Sequence, residues 1–140
     1  MRWTRTAGVF VVAAALAAGA CAANGMGAPP RADQTLLTRR EIMSVDGARD
    51  LYEVVRRLRP HWIEVDKRAQ LQNVNGSNRG VLVYQGQAYL GGIGVLHELR
   101  PDMAYEMHWL DGAMAATTLP NGLNYGRVAG AIVIRADPTP

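Results

Sequence analysis

Histidine and serine are the residue types in this chain that most readily support acid–base or nucleophilic chemistry. They stand at His61, His97, His108, Ser44 and Ser77. Neither serine lies in a Gly-x-Ser-x-Gly segment, in which a sharp turn exposes the nucleophile, and no cysteine follows residue 21. The residues therefore predict a non-enzymatic protein. A small hydrolase that depends on His108 or Glu106 is a remaining alternative.

Glu106 and His108 also have the residue types of a metal site. Side chains two residues apart on a strand point to the same face, and imidazole and carboxylate groups are zinc ligands. His97 and Glu98 are nearby in the sequence. This spacing matches no recognised set of metal ligands, so the sequence predicts neither a metal nor another cofactor.

The first 20 residues have the layout of a secretory signal peptide. Arg2 and Arg5 precede an uncharged apolar stretch at residues 7–20, which ends in small residues. A helix needs roughly 20 apolar residues to cross the hydrocarbon core of a bilayer, so this stretch is too short for a permanent anchor. We expect residues 1–20 to be removed during export.

Cys21 is the single cysteine and directly follows Ala18-Gly19-Ala20, so it cannot form a disulfide within its own chain. Its position is similar to that of the acylated cysteine in bacterial lipoproteins. Because Ala22 follows it instead of aspartate, the similarity implies an anchor in the outer membrane that faces the periplasm. Cleavage by ordinary signal peptidase, which would leave a soluble periplasmic protein, is the alternative.

Residues 21–33 contain glycine and proline and almost no large apolar side chain. Such a segment cannot bury enough surface to offset the entropy of ordering, so we predict a flexible tether after the lipidation site. Residues 34–137 are sufficient for one small domain.

The basic character of the chain comes largely from the signal peptide. The formal charge is +3, and removal of Arg2 and Arg5 brings it close to neutrality. Nucleic-acid binding requires concentrated positive charge. We therefore predict no nucleic-acid partner.

The densest basic group lies between residues 39 and 59. It consists of Arg39, Arg40, Arg49, Arg56, Arg57 and Arg59. These side chains can meet anionic lipid headgroups, and Arg49, Arg56 and Arg57 are candidate interaction residues. The alternative is a solvated helix face on which arginines alternate with Asp50 and Glu53.

Tyr89 and Trp109 are the other candidate interaction residues. Together with Trp62, they have the size and polarity to form an aromatic platform for a ligand. Aromatic side chains at strand positions more commonly fill the core, which is the alternative.

The domain is expected to begin with two helices. Thr38 and Glu41 have the spacing of a capping box, and Leu37 and Ile42 can form the accompanying hydrophobic staple. Apolar residues at intervals of three and four predict a second helix from about Asp46, which ends before residue 60. Residues 61–63 are predicted to be extended, and residues 70–79 to form a polar surface loop.

After residue 80 the pattern predicts short strands and helices separated by glycines. Strands are predicted at 81–84, 87–90, 104–110 and 131–134, and short helices at 93–99 and 113–116. The glycines expected at structural turns are Gly86, Gly91, Gly92, Gly112, Gly126 and Gly130. This order predicts an α+β domain, a small mixed β-sheet with short helices.

These elements resemble the plug domain of TonB-dependent outer-membrane receptors. The matching segments are Val83-Tyr84-Gln85-Gly86, Gly91-Gly92, residues 96–101, Asp111-Gly112-Ala113, Ala115-Ala116, Tyr125-Gly126 and Gly130-Ala131-Ile132-Val133-Ile134. Gln85 departs from the aspartate that is common in the family's turn. The resemblance covers residues 34–137 and implies a plug-like fold.

A receptor of this family surrounds its plug with a 22-stranded barrel. At roughly ten residues per strand, such a barrel needs more than about 200 residues, so we expect this chain not to be the transporter itself. The resemblance implies a stand-alone interaction module that binds an envelope protein, such as a component of TonB-dependent transport. A periplasmic protein that binds a small ligand is the alternative.

Overall fold

The computed structural model describes residues 33–73, 76, 78–120 and 127–137. The predicted signal peptide, Cys21 and the tether before Asp33 lie outside these residues. So do Ser77, Tyr125 and Gly126.

The described chain consists of short helices and short strands. The helices are α1 (Arg39–Met43), α2 (Leu51–Leu58), α3 (Pro60–Leu71) and α4 (Gly112–Thr118), and there are two 3₁₀ segments, Ile93–His97 and Pro101–Met103. The strands are β1 (Leu36–Thr38), β2 (Val81–Gln85), β3 (Ala88–Gly92), β4 (Glu106–Asp111) and β5 (Gly130–Arg135). The predicted α+β class is confirmed.

The strands of the described chain form one mixed sheet in the order β1-β4-β5-β2-β3. Strands β2 and β5 are parallel, and the other neighbouring pairs are antiparallel. Parallel strands require a long crossover connection, and the chain between β2 and β5 contains β3, both 3₁₀ segments, β4 and α4. Strand β5 is the third of the five strands in this order and is therefore the centre of the sheet.

The two faces of β5 pack against different layers. Ile132 and Ile134 belong to the main core, with apolar side chains from α1, α2 and α3. Ala131 and Val133 belong to a smaller cluster with Ala115 of α4. A strand that is covered on both faces is apolar throughout, as the sequence of this strand indicated.

The predicted capping box is confirmed at the start of α1. Thr38 Oγ1 accepts a hydrogen bond from the Glu41 N–H at 3.4 Å, and Glu41 Oε2 accepts one from the Thr38 N–H at 2.9 Å. Leu37 and Ile42, the predicted staple, are both buried in the main core. Strand β1 was not predicted because three residues are too few to show a period.

Two predictions around the second helix are wrong. Helix α2 begins after Asp50, which caps it by accepting from the Glu53 N–H at 2.8 Å, and not from about Asp46. Residues 61–63 are helical instead of extended, because Pro60 is the first residue of α3. Proline suits that position since its missing N–H would have no partner within the helix.

The predicted hairpin between β2 and β3 is confirmed, with Gly86 at a φ of 59° in its turn. Gly91 and Gly92 do not break the strand but form the end of β3, opposite Val83 and Leu82. The helix predicted at residues 93–99 is instead the first 3₁₀ segment, which ends at His97.

Gly112 and Gly130 allow α4, β4 and β5 to approach one another closely. Gly112 provides the expected change of direction from β4 into α4, and a Cβ there would collide with the Val128 carbonyl oxygen. Gly130, expected at a turn, is the first residue of β5, and a Cβ there would lie 2.5 Å from the Trp109 ring. Neither position has room for a side chain.

We expect Gly112→Ala to lower the free energy of unfolding by roughly 1–3 kcal/mol, the usual cost of overpacking. Helix propensity alone would raise the free energy of unfolding, because alanine is favoured over glycine in a helix by about 1 kcal/mol. Urea unfolding measures the change, with Gly94→Ala as the control because a Cβ at Gly94 would meet nothing within 4 Å. A stabilised Gly112→Ala variant would contradict the close approach.

Candidate functional site

Arg59, a member of the predicted basic group, is buried where α2 meets α3. Its Nη2 donates to the carbonyl oxygens of Asp33 at 2.9 Å and Leu36 at 2.7 Å. The same atom donates to Glu41 Oε1 at 2.9 Å. Loss of one partner from such a buried pair leaves an uncompensated charge. Arg59 therefore fastens β1 to the helices and belongs to the interior of the domain.

Arg49, Arg56 and Arg57, the candidate interaction residues, are exposed and lie around one carboxylate, that of Glu53. Glu53 Oε2 accepts from the Arg49 N–H at 3.1 Å, and Oε1 accepts from Arg57 Nη2 at 2.9 Å. Arg56 Nη2 lies 3.7 Å from Glu53 Oε1. The structure thus brings the three arginines together at α2.

A groove of about 400 Å³, here called the α2 groove, lies beside these arginines. It is lined by Gly47, Arg49, Asp50, Tyr52, Glu53, Arg56 and His97. The His97 ring stacks on Tyr52 with 4.0 Å between centroids, and its Nδ1 lies 3.1 Å from Asp50 Oδ2. Arginine and tyrosine are enriched at protein–protein interfaces, so the groove has the residue types of a docking surface.

Hydrogen bonds keep both carboxylates of the α2 groove in their charged form. The Arg49 N–H lowers the pKa of Glu53, burial opposes this, and the Arg57 guanidinium lowers it further. Burial alone would raise the pKa of Asp50, but hydrogen bonds from the Glu53 N–H and from His97 outweigh burial and lower it. Positive and negative groups therefore alternate along the groove at neutral pH.

The two aromatic candidates, Tyr89 and Trp109, lie on opposite faces of the sheet. Trp109 stacks on the fully buried Trp62, with ring centroids 5.6 Å apart, on the face that carries α2 and α3. Tyr89 is paired with Tyr84 on the face that carries α4, and their centroids are 5.4 Å apart. The structure therefore does not bring these aromatic side chains into one platform, and Trp62 and Trp109 pack in the core.

Glu106 and His108 are neighbours on one face of β4. His108 Nε2 lies 3.0 Å from Glu106 Oε1, and that oxygen accepts a hydrogen bond from Arg135 Nη1 at 2.6 Å. The His108 ring lowers the pKa of Glu106, burial opposes this, and the Arg135 charge also lowers it. His97 lines the α2 groove instead. Within the described residues, no three histidine, cysteine, aspartate or glutamate side chains form a group that could hold a metal ion.

A second concave surface was not indicated by any sequence pattern. A cleft of about 590 Å³ lies between α3 and α4, and both Arg68 and Arg127 line it. An isolated β-bridge between Asn78 and Arg127 places Arg127 there, whereas Arg68 lies on α3, 3.2 Å from Glu64. Two guanidinium groups at one cleft can bind a carboxylate or a phosphate. No local motif shows the cleft because the arginines are far apart in the sequence.

None of the helices in the described part of the chain has both the length and the apolar character that a bilayer crossing requires. No protein-family model matches the chain, and no curated protein or solved structure is detectably similar to it.

We expect the Glu53→Gln variant to lose less stability than the wild type when the pH becomes acidic. Folding lowers the pKa of Glu53 below its ordinary value of 4.5, so the charged carboxylate stabilises the fold above that pH. This contribution disappears as the pH falls through the lower, folded-state pKa.

Urea unfolding from about pH 6 to about pH 3 measures this effect, because that window extends below the ordinary pKa of a glutamate. The wild type should lose more stability across the window than Glu53→Gln does. The control is Glu98→Gln, which removes an exposed glutamate after the first 3₁₀ segment. Identical pH slopes for Glu53→Gln and the wild type would show that Glu53 does not organise the arginines.

Proposed function

We propose that this chain is a plug-like interaction module, held at the periplasmic side of the outer membrane by a lipid on Cys21, that binds another envelope protein. The observation that carries this proposal is the order of elements after residue 80. The β2–β3 hairpin, the 3₁₀ segments in place of the implied helix, β4, α4 and β5 follow one another, and this order supports the resemblance to plug domains.

Two glycines of the resemblance give it further support. Gly112 and Gly130 belong to the segments that carry the likeness, and both stand where a Cβ would collide with a neighbour. Two glycines of the pattern are therefore also required by the packing. Since one fold can host many functions, the binding role depends on the surface of the domain.

The α2 groove is the surface that we propose for the partner. It presents the exposed side chains of Arg49 and Arg56 beside the stacked rings of Tyr52 and His97. Alternating charges at such a surface fix the orientation of a partner and disfavour wrong partners. An envelope protein with complementary acidic groups fits the groove, and a component of TonB-dependent transport is a candidate.

The proposed anchor predicts that labelled palmitate is incorporated into the wild-type protein and not into Cys21→Ala. Because Cys21 is the single cysteine, the variant removes the acylation site without disturbing another thiol. Immunoprecipitation after metabolic labelling gives the measurement. When the cells are fractionated, the variant should appear in the periplasmic fraction instead of the membrane fraction. A wild-type protein without label would contradict the anchor.

The proposed docking role predicts that a photo-crosslinking amino acid at Arg56 captures one envelope protein in native membranes. The same amino acid at Met114, which is 53% exposed on α4 across the sheet, is the control and should not capture that protein. Adding Arg49→Glu should reduce capture from position 56, because it reverses a charge in the α2 groove.

Mass spectrometry identifies the captured protein. Equal capture from positions 56 and 114 would contradict docking at the α2 groove. No capture, together with a higher melting temperature in phosphate or succinate, would instead favour the small-ligand-binding alternative at the Arg68–Arg127 cleft.

A further inference from the structure

We propose that α1 and the second 3₁₀ segment form the face of the domain that rests on the membrane, where it binds anionic phospholipid headgroups. This inference rests on the proposed anchor at Cys21. The contact consists of Arg39, Arg40, Met43, Met103 and Tyr105, here called the α1 surface.

Hydrogen bonds from one arginine hold the α1 surface together. Arg39 Nη1 donates to the carbonyl oxygens of Asp102 and Ala104, at 2.7 Å in each case. These two residues flank Met103, so the bonds fix the second 3₁₀ segment against α1. Met43 is one helical turn after Arg39 and lies on the same side of α1.

The apolar members of the α1 surface are all exposed. Met43 is 52% exposed, Met103 is 51% exposed and Tyr105 is 38% exposed. Tyr105 lines a shallow groove together with Arg39 and Arg40. Apolar groups rimmed by arginines are the combination that binds at the boundary between headgroups and acyl chains.

The charge of the α1 surface is positive because its acidic neighbours are already paired. Glu41 lies 2.9 Å from Arg59, Asp102 lies 2.8 Å from Arg100, and Glu106 lies 2.6 Å from Arg135. Arg39 donates to neutral carbonyl groups, and Arg40 is exposed beside it. Two guanidinium charges are therefore left to attract anionic lipid.

This distribution distinguishes the α1 surface from the α2 groove. At the groove, the guanidinium groups of Arg56 and Arg57 approach the carboxylate of Glu53, so their charge is partly neutralised there. Arg49 reaches the same carboxylate through its backbone N–H. The sequence places all these arginines in one basic group, but only Arg39 and Arg40 combine uncompensated charge with exposed apolar side chains.

The point at which the connection from Cys21 enters the domain lies close in the chain to the α1 surface. A chain that connects Cys21 to Asp33 spans at most about 40 Å when fully extended. Asp33 lies just before β1, and β1 leads directly into α1. Among the described elements, β1 and α1 are therefore nearest in the chain to the proposed anchor, and α1 carries Arg39, Arg40 and Met43.

Methionine oxidation tests this contact in the full-length mature lipoprotein. The protein is reconstituted into vesicles of phosphatidylethanolamine and phosphatidylglycerol, or of phosphatidylcholine alone, and is treated with hydrogen peroxide. Mass spectrometry follows Met43 and Met103, with Met114 as the internal reference because it is 53% exposed on α4.

In the anionic vesicles, Met43 and Met103 should oxidise about fivefold more slowly relative to Met114 than in the neutral vesicles. Arg40→Glu should remove most of this protection without changing flotation with the vesicles. Leu71→Glu, which adds one negative charge at a side chain 84% exposed at the end of α3, should retain the protection.

Flotation separates failure of the surface from failure of the anchor. A lipidated protein that floats with anionic vesicles but oxidises equally at Met43, Met103 and Met114 would overturn the α1 surface and leave the anchor intact. A protein without lipid that does not float would overturn both. If Met43 and Met103 were protected from oxidation in native membranes but never in pure lipid vesicles, the α1 surface would bind a protein partner. That result would overturn the membrane contact.

Discussion

The parallel pairing of β2 with β5 is the constraint on which the rest of this structure depends. Strand β5 is enclosed by β4 and β2 and packs on both faces, with Ile132 in the main core and Ala131 against the α4 side. Gly130 begins this strand under the Trp109 ring, and Gly112 brings α4 onto the backbone before it. If β5 did not occupy the centre, neither layer would have a surface on which to pack.

The surfaces that we connect with function take different positions around this central strand. The α2 groove belongs to the helical layer on one face, whereas the Arg68–Arg127 cleft lies between α3 of that layer and α4 of the opposite face. Arg59 ties β1 to the helical layer from within and so positions α1, which follows β1 directly. A module that rests on a membrane through α1 can therefore present the α2 groove to a partner while both surfaces are held by one rigid sheet.

Features determined by neighbouring residues could be predicted from the sequence, and those determined by distant contacts could not. The capping box of Thr38 and Glu41 and the hairpin at Gly86 are local, so their sequence signals were sufficient. Pro60 gave a wrong prediction because proline occurs both after a helix and at the first position of a new one.

Distant contacts decide which arginines reach a partner. Sequence spacing alone groups Arg59 with Arg56 and Arg57, but burial against Asp33, Leu36 and Glu41 makes it structural. The residues predicted best are those whose neighbours in the chain are also their neighbours in space.

Nuclear Overhauser contacts between the side chains of β2 and β5 test the central pairing most directly. The structure predicts contacts of Leu82 with Ala131 and of Tyr84 with Val133, whereas contacts of Leu82 with Val133 and of Tyr84 with Ala131 would show an antiparallel pair and contradict it.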